Sequence, residues 1–192
     1  MKIFISGGCK NGKSYYAQKL AKLQQKRELH ELHELYYVAT MRPADGEDDE
    51  RIARHKKERE GWGFATVEQP ENICEVLRKC DLGGSFLIDS ATALLANEMF
   101  RADGSINENA AEKASRELLE VINAVGDIVV VSDYIYSDAV IYDELTEKYR
   151  DSLAYIDKNA AAACDIVLEI VNTNVIVFKG RDEFHTLYNE VR

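Results

Sequence analysis

Two stretches and one lone acid carry the residue types that chemistry requires. The first stretch is Gly7-Gly8-Cys9-Lys10-Asn11-Gly12-Lys13-Ser14, with the spacing G-x-x-x-x-G-K-[ST]. Glycines at those positions let successive backbone N–H groups curl around a phosphate at a helix N-terminus, where free donors and the helix dipole favour negative charge. Lys13 would reach the β- and γ-phosphates of a nucleoside triphosphate, and the Ser14 hydroxyl would hold Mg²⁺. The second stretch is Arg51-Ile52-Ala53-Arg54-His55-Lys56-Lys57-Glu58-Arg59. On a helix Arg51, His55 and Arg59 share one face, with an imidazole between two guanidiniums. Positive neighbours depress an imidazole pKa, keep a ring nitrogen neutral and nucleophilic, and balance charge on an attacked phosphate. The same charges also suit a solvent-facing helix, so composition alone leaves both uses open. The acid is Asp89, which ends the apolar run Ser85-Phe86-Leu87-Ile88. In a chain with a phosphate loop, a carboxylate at the end of a buried strand is the leading candidate for metal or nucleotide contact.

These groups need a scaffold of alternating strands and helices. Ile3-Phe4-Ile5 is an uninterrupted apolar run, as in a strand covered on both faces of a parallel sheet, and Ser14 to about Lys26 follows as a helix free of Gly and Pro. Further strands are expected at Tyr36–Thr40, Trp62–Glu68, Ser85–Asp89, Asp127–Asp133, Asp165–Val171 and Val175–Lys179. Helices are expected at about Asp48–Glu60, Glu71–Arg78, Ser90–Phe100, Asn107–Ala124 and Tyr142–Cys164, with a short helix or tail after Gly180. The alternation predicts an α/β fold, a P-loop NTPase-like three-layer sandwich. Its sheet is mostly parallel, flanked by helices, with an antiparallel C-terminal edge hairpin at the Asn172-Thr173-Asn174 turn. Ligands in such sheets bind at the carboxyl ends of the strands, which is where the P-loop, Asp89 and the loop from Tyr134 to Asp138 would meet.

At 192 residues the chain suits one well-buried domain spanning 1–192, nucleotide-binding by its P-loop. A formal net charge of -10 argues against nucleic acid or an anionic membrane as general partners. Cys9, Cys74, Cys80 and Cys164 form no CxxC pair. Reduced thiols, no zinc site and a cytoplasmic location are therefore expected. No apolar run approaches a membrane span. His30 and His33, in a Glu-Leu-His repeat, could face a metal together, but a solvated helix end explains them without a third ligand.

Taken together, several features closely resemble one family. They are the N-terminal P-loop, Ala39-Thr40, Arg51-Ile52-x-x-His55-Lys56-x-x-Arg59, the Phe64 to Glu68 strand, Leu87-Ile88-Asp89-Ser90 with Asn97 and Phe100, and Tyr149-Arg150-Asp151. The family is the bifunctional adenosylcobinamide kinase/adenosylcobinamide-phosphate guanylyltransferases of cobalamin (vitamin B12) assembly, and the likeness covers nearly the whole chain. The resemblance implies a kinase step, in which ATP or GTP phosphorylates adenosylcobinamide. It also implies a second step, in which a histidine matching His55 carries GMP from GTP to the phosphorylated corrinoid, giving adenosylcobinamide-GDP. It further implies that Gly7, Gly8, Cys9, Lys10, Asn11, Gly12, Lys13 and Ser14 cradle phosphates. Ala39, Thr40, Met41, Lys56, Lys57, Glu58 and Arg59 would line the guanine nucleotide site, with Glu68 and Asp89 as acidic nucleotide contacts. His55 and Lys13 would then be the catalytic pair, Arg51 the supporting charge, Ser14 and Asp89 the Mg²⁺ ligands, and the assembly a homo-oligomer, typically a trimer.

One stretch departs from the pattern. Where the family has Asn-Glu-Val-Gly-x-Gly followed by Ile-Val-Pro, this chain has Asp133-Tyr134-Ile135-Tyr136-Ser137-Asp138-Ala139-Val140-Ile141. Both loop glycines are gone, so the loop must take another shape. Two other readings stand beside the bifunctional one. One is a single-activity P-loop kinase or nucleotidyltransferase acting on another small molecule. The other is a nucleotide-sensing binding protein without transfer activity.

Overall fold

The computed structural model describes residues 1–27, 33–42, 57 and 60–189. Among these, seven strands form one sheet: β1 Lys2–Gly7, β2 Leu35–Ala39, β3 Ala65–Glu68, β4 Ser85–Asp89, β5 Asp127–Val131, β6 Ile166–Val171 and β7 Asn174–Lys179. Their order across the sheet is β3-β2-β4-β5-β1-β6-β7. All neighbouring pairs are parallel except β6 and β7, which run antiparallel. The expected edge hairpin is therefore present, turning on Asn172 and Thr173, both at positive φ (47° and 67°). That is the conformation a tight two-residue hairpin requires.

The helices are α1 Lys13–Arg27, the single turn α2 Val76–Lys79, α3 Ala91–Met99, α4 Ala110–Ala124, α5 Glu144–Ala163 and α6 Arg181–Asn189. Alternation along each strand sends side chains to opposite faces, and both faces are covered. On one side Phe4, Val38, Phe86, Ile88, Ile128 and Val130 pack with Leu94 and Leu95 of α3, Leu118 and Ile122 of α4 and Leu153 and Ile156 of α5. On the other, Ile3, Ile5, Tyr37, Leu87, Val129 and Leu168 pack with Ala17, Leu20 and Ala21 of α1 and Phe184 and Leu187 of α6. The result is the expected three-layer arrangement.

Five boundaries differ from expectation by two residues or more, each for a local reason. The strand expected through Asp133 ends at Val131, and the Asp133 N–H turns to Thr92 Oγ1. The strand expected from Trp62 begins at Ala65, because Gly61 and Gly63 both take positive φ (83° and 82°) and Trp62 turns aside to meet the edge of Tyr15. The helix expected over Glu71–Arg78 is a 3-10 turn at Ile73–Glu75 followed by α2, because Asn72 is left-handed (φ 50°). The helix expected from Asn107 starts at Ala110; Asn107 instead accepts the Asn109 N–H and donates from its side chain to the Glu98 carbonyl. The helix expected from Tyr142 starts at Glu144, since Asp143 takes an extended conformation and caps it through the Leu145 and Thr146 N–H groups. The expected Asp48–Glu60 helix lies outside the described residues apart from Lys57, which is helical, and Glu60, which lies in a turn. No helix among the described residues is long and apolar enough to cross a membrane.

Candidate active site at the carboxyl edge of the sheet

The register of the central strands sets the site. Ile5 of β1 and Asp89 of β4 both lie level with Val131 of β5. Two residues further on, Gly7 and Asp133 leave the sheet side by side, linked by the Tyr134 N–H donating to the Gly7 carbonyl at 3.3 Å. The P-loop rises there and enters α1 at Lys13. Its curl is made by Lys10 (φ 56°) and Gly12 (φ 90°). A side chain at Gly7 is sterically barred: a Cβ would lie 2.5 Å from Asn11 Nδ2 and 2.6 Å from the Ile170 carbonyl. The Asn11 amide itself donates to that carbonyl, tying the loop to β6.

Lys13 is the buried cation of this edge, only 5% exposed. Its ammonium donates to the Gly8 carbonyl at 2.6 Å and to Asp133 Oδ1 at 2.6 Å, and approaches Asn11 Oδ1 at 3.4 Å. A buried ammonium must be paired, and here an acid and two neutral oxygens hold it beside the loop's glycine amides. Ser14 is half-buried in the first turn of α1.

Asp133 is a residue that motif reading missed. Its signal is an acid two residues past the least ambiguous β-branched run, on the strand next to the P-loop strand. Its backbone N–H donates to Thr92 Oγ1 at 2.8 Å. Beneath it lies a buried polar network: Ser132 and Tyr136 both donate to Asp157 Oδ2 at 2.9 Å, and the Ser132 and Thr92 hydroxyls lie 3.4 Å apart. Asp157, on α5, is 3% exposed and its other oxygen has no hydrogen-bond partner. Burial, reinforced by the charge of Asp133, pushes its carboxyl up to about 6 against the two hydrogen bonds. Burial likewise pushes the Tyr149 hydroxyl up to about 12.

The other expected residues divide. Asp89 ends β4 with one oxygen accepting the Tyr37 hydroxyl at 2.7 Å. Thr40, fully buried at the end of β2, donates its hydroxyl to the Ser90 carbonyl (2.8 Å) and accepts the Ser90 N–H (2.6 Å), while its carbonyl accepts from Asn97 (2.7 Å). Thr40 therefore clamps the ends of β2 and β4 together. Ala39 and Met41 flank it half-buried, and Glu68, level with Ala39, is exposed. Lys57 is helical and exposed. Arg51, His55, Lys56, Glu58, Arg59 and His30 lie outside the described residues.

The glycine-free loop has found its other shape. None of Tyr134–Ile141 takes positive φ. Instead Arg150 of α5, 6% exposed, reaches under the loop: it donates to the Ile135 carbonyl (3.0 Å), the Val140 carbonyl (3.2 Å), Asp138 (2.9 Å) and Glu147 (2.8 Å). Its guanidinium also lies 4.8 Å from the Tyr142 ring centre.

A phosphate loop with a buried lysine, beside strand-end acids, suits a nucleoside triphosphate. Comparison with known proteins specifies it further, because residues 3–176 match the model of the family described as cobinamide kinase / cobinamide phosphate guanyltransferase. The chain belongs to that family. It is thus an enzyme of cobalamin biosynthesis, a P-loop transferase. It is 29% identical over 182 residues to the bifunctional adenosylcobalamin biosynthesis protein CobP of Pseudomonas aeruginosa, covering 94% of this chain and 98% of that one. It is 24% identical to the Salmonella typhimurium protein of the same description, CobU, over 90% of this chain and 96% of that one. Among solved structures, a KaiC-like protein from Pyrococcus horikoshii OT3 aligns over 94% of this chain and 80% of its own, with 14% identity and a TM-score of 0.48.

The donor chemistry of Ser14 and Asp89 suits Mg²⁺. The Ser14 hydroxyl and the Asp89 carboxylate are hard oxygen donors, and Tyr37 occupies only one Asp89 oxygen. Mg²⁺ typically takes one or two such protein oxygens and fills its shell with substrate phosphates and water. Among the described residues no group of three His, Cys, Asp or Glu could hold a metal by itself.

Proposed function

We propose that this family member runs both reactions: it phosphorylates the hydroxyl of adenosylcobinamide's aminopropanol arm at the P-loop, then transfers GMP from GTP to the phosphorylated corrinoid through His55. The observation that carries the first step is Lys13, buried beside the loop amides with only internal oxygens on its ammonium. A triphosphate supplies better oxygens and draws Lys13 to its β- and γ-phosphates, while Gly7 to Ser14 donate backbone N–H groups. Ser14 and Asp89 would hold Mg²⁺, which would supply neutralisation of phosphate charge.

In the second step an imidazole nitrogen of His55 attacks the α-phosphate of GTP and pyrophosphate leaves. The corrinoid phosphate oxygen then displaces His55 and takes the GMP. Arg51 and Arg59, four residues either side of it in sequence, keep the imidazole neutral and balance phosphate charge. Ala39, Thr40, Met41, Lys56, Lys57, Glu58, Arg59 and Glu68 make up the guanine nucleotide site. A homotrimer is the proposed assembly and the cytoplasm the proposed location.

The test is to incubate the protein with adenosylcobinamide, GTP and Mg²⁺ and identify the corrinoid product by mass spectrometry. Adenosylcobinamide-GDP is expected from the wild type, and adenosylcobinamide phosphate alone from His55→Ala. Unchanged corrinoid with the wild type would overturn the substrate assignment; full GDP product with His55→Ala would overturn the histidine's role.

A further inference from the structure

Lys13 meets a carboxylate where a phosphate must bind. An acid 2.6 Å from the phosphate-binding ammonium opposes the incoming anion. A site built for binding alone gains nothing from it. Asp133 nevertheless stands there firmly, its own N–H on Thr92, the next N–H on the Gly7 carbonyl, and the preceding Ser132 anchored to Asp157. These ties belong to β5 and its neighbours and do not depend on Lys13. When the lysine swings toward a phosphate, the backbone that carries the carboxylate stays in place, and 31% of that side chain is exposed.

Asp89 cannot take the same position. It lies level with Val131, two residues deeper than Asp133, on the far side of β5 from the P-loop strand.

We infer that Asp133 is the base of the kinase step: once the nucleotide's phosphates have taken Lys13, the freed carboxylate receives the proton of the acceptor hydroxyl. This rests on the proposed kinase reading. The acceptor O–H bond breaks and its proton passes to an Asp133 oxygen. The acceptor oxygen forms a bond to the γ-phosphorus, the bond from that phosphorus to the β-phosphate bridging oxygen breaks, and a nucleoside diphosphate leaves. Asp133 returns the proton to solvent. With no corrinoid present, water takes the acceptor's place in the same sequence and the nucleotide is slowly hydrolysed.

The experiment compares wild type, Asp133→Asn and Asp133→Ala. Three quantities are read: turnover of adenosylcobinamide phosphorylation, nucleotide hydrolysis without corrinoid, and affinity for a fluorescent non-hydrolysable nucleotide, which also reports folding. For Asp133→Asn we expect phosphorylation and hydrolysis to fall about 100-fold, with nucleotide affinity unchanged or tighter because Lys13 is released. Added formate should restore part of the turnover of Asp133→Ala. Unchanged turnover with tighter nucleotide binding would make Asp133 a mere counter-ion and overturn the inference, as would loss of turnover that formate does not restore. If the wild type leaves the corrinoid untouched but hydrolyses nucleotide, and Asp133→Asn does not, the substrate reading fails while the base survives. Wild type that transfers phosphate to neither acceptor overturns both.

Discussion

Two lysine–carboxylate pairs in this protein have nearly the same geometry and opposite construction. Lys113 of α4 meets Glu98 of α3 at 2.6 Å, and Lys13 meets Asp133 at 2.6 Å. In the first pair the acid is the buried partner, 6% exposed against 28% for the lysine, and it is fully engaged: both oxygens accept from Lys113 and one also accepts the Asn72 N–H at 2.8 Å. In the second the cation is buried and the acid open, 5% against 31%. A buried acid with every oxygen engaged holds helices together and leaves nothing to exchange. A buried cation beside glycine amides, held by oxygens that a phosphate can replace, is set to trade partners. Distance alone does not separate structure from chemistry here; which partner is buried, and what else it touches, does.

Removing each lysine-side function breaks the comparison in a different currency. Lys13→Met should lower adenosylcobinamide phosphorylation by about 10³-fold or more, on the order of 4 kcal/mol of barrier. It should leave the melting temperature nearly unchanged, since the freed Asp133 is open to water. Steady-state kinetics beside a thermal melt checks both; a collapse in melting temperature with intact turnover per folded molecule would invert the assignment. Glu98→Ala should do the reverse. It strands the Asn72 N–H and the Lys113 ammonium together, for a loss of about 2 to 3 kcal/mol in stability, read by urea denaturation. The kinase turnover of the folded fraction should hold.

Much of the first pair's setting was hidden from the sequence and much of the second's was open to it. Gly7 to Ser14 is legible because its chemistry is local backbone geometry, and β1, β4 and β5 are legible because a strand covered on both faces reads as an unbroken apolar run. Glu98, Asn72 and Lys113 come from three separate elements, so their meeting has no local signal. It also explains why the helix expected from Glu71 shrinks: Asn72 spends its N–H on Glu98 and its side chain on Lys113 rather than entering a helix. Asp133 stood in plain view but in a stretch notable for its missing glycines, and its meaning came only from lying level with Gly7. Arg150 is similar, since its four partners in the 135–147 segment become a set only when α5 packs beneath the loop.

Asp157 sharpens the comparison from within, because it is as buried as Glu98 yet incompletely paired. Among the described residues it has Ser132 and Tyr136 on one oxygen, no hydrogen-bond partner on the other, and no paired cation. Burial accordingly pushes its carboxyl up to about 6, whereas an unfolded aspartate titrates near 3.9. The folded state therefore holds this proton to higher pH than the unfolded state does. The stability that follows is complete below about pH 4, is lost as pH rises toward 6, and changes no further above that. Asp157→Asn keeps an oxygen for Ser132 and Tyr136 and removes the charge. It should stabilise the protein by about 1 to 2 kcal/mol at pH 8 relative to wild type, less than the pKa difference alone implies because charged hydrogen bonds are lost. At pH 4, where the wild-type carboxyl is already protonated in the folded protein, the difference should shrink toward zero. Parallel denaturation of the two proteins at both pH values reads this directly. An equal difference at both would mean that Asp157 stays ionised in the fold, satisfied like Glu98 after all.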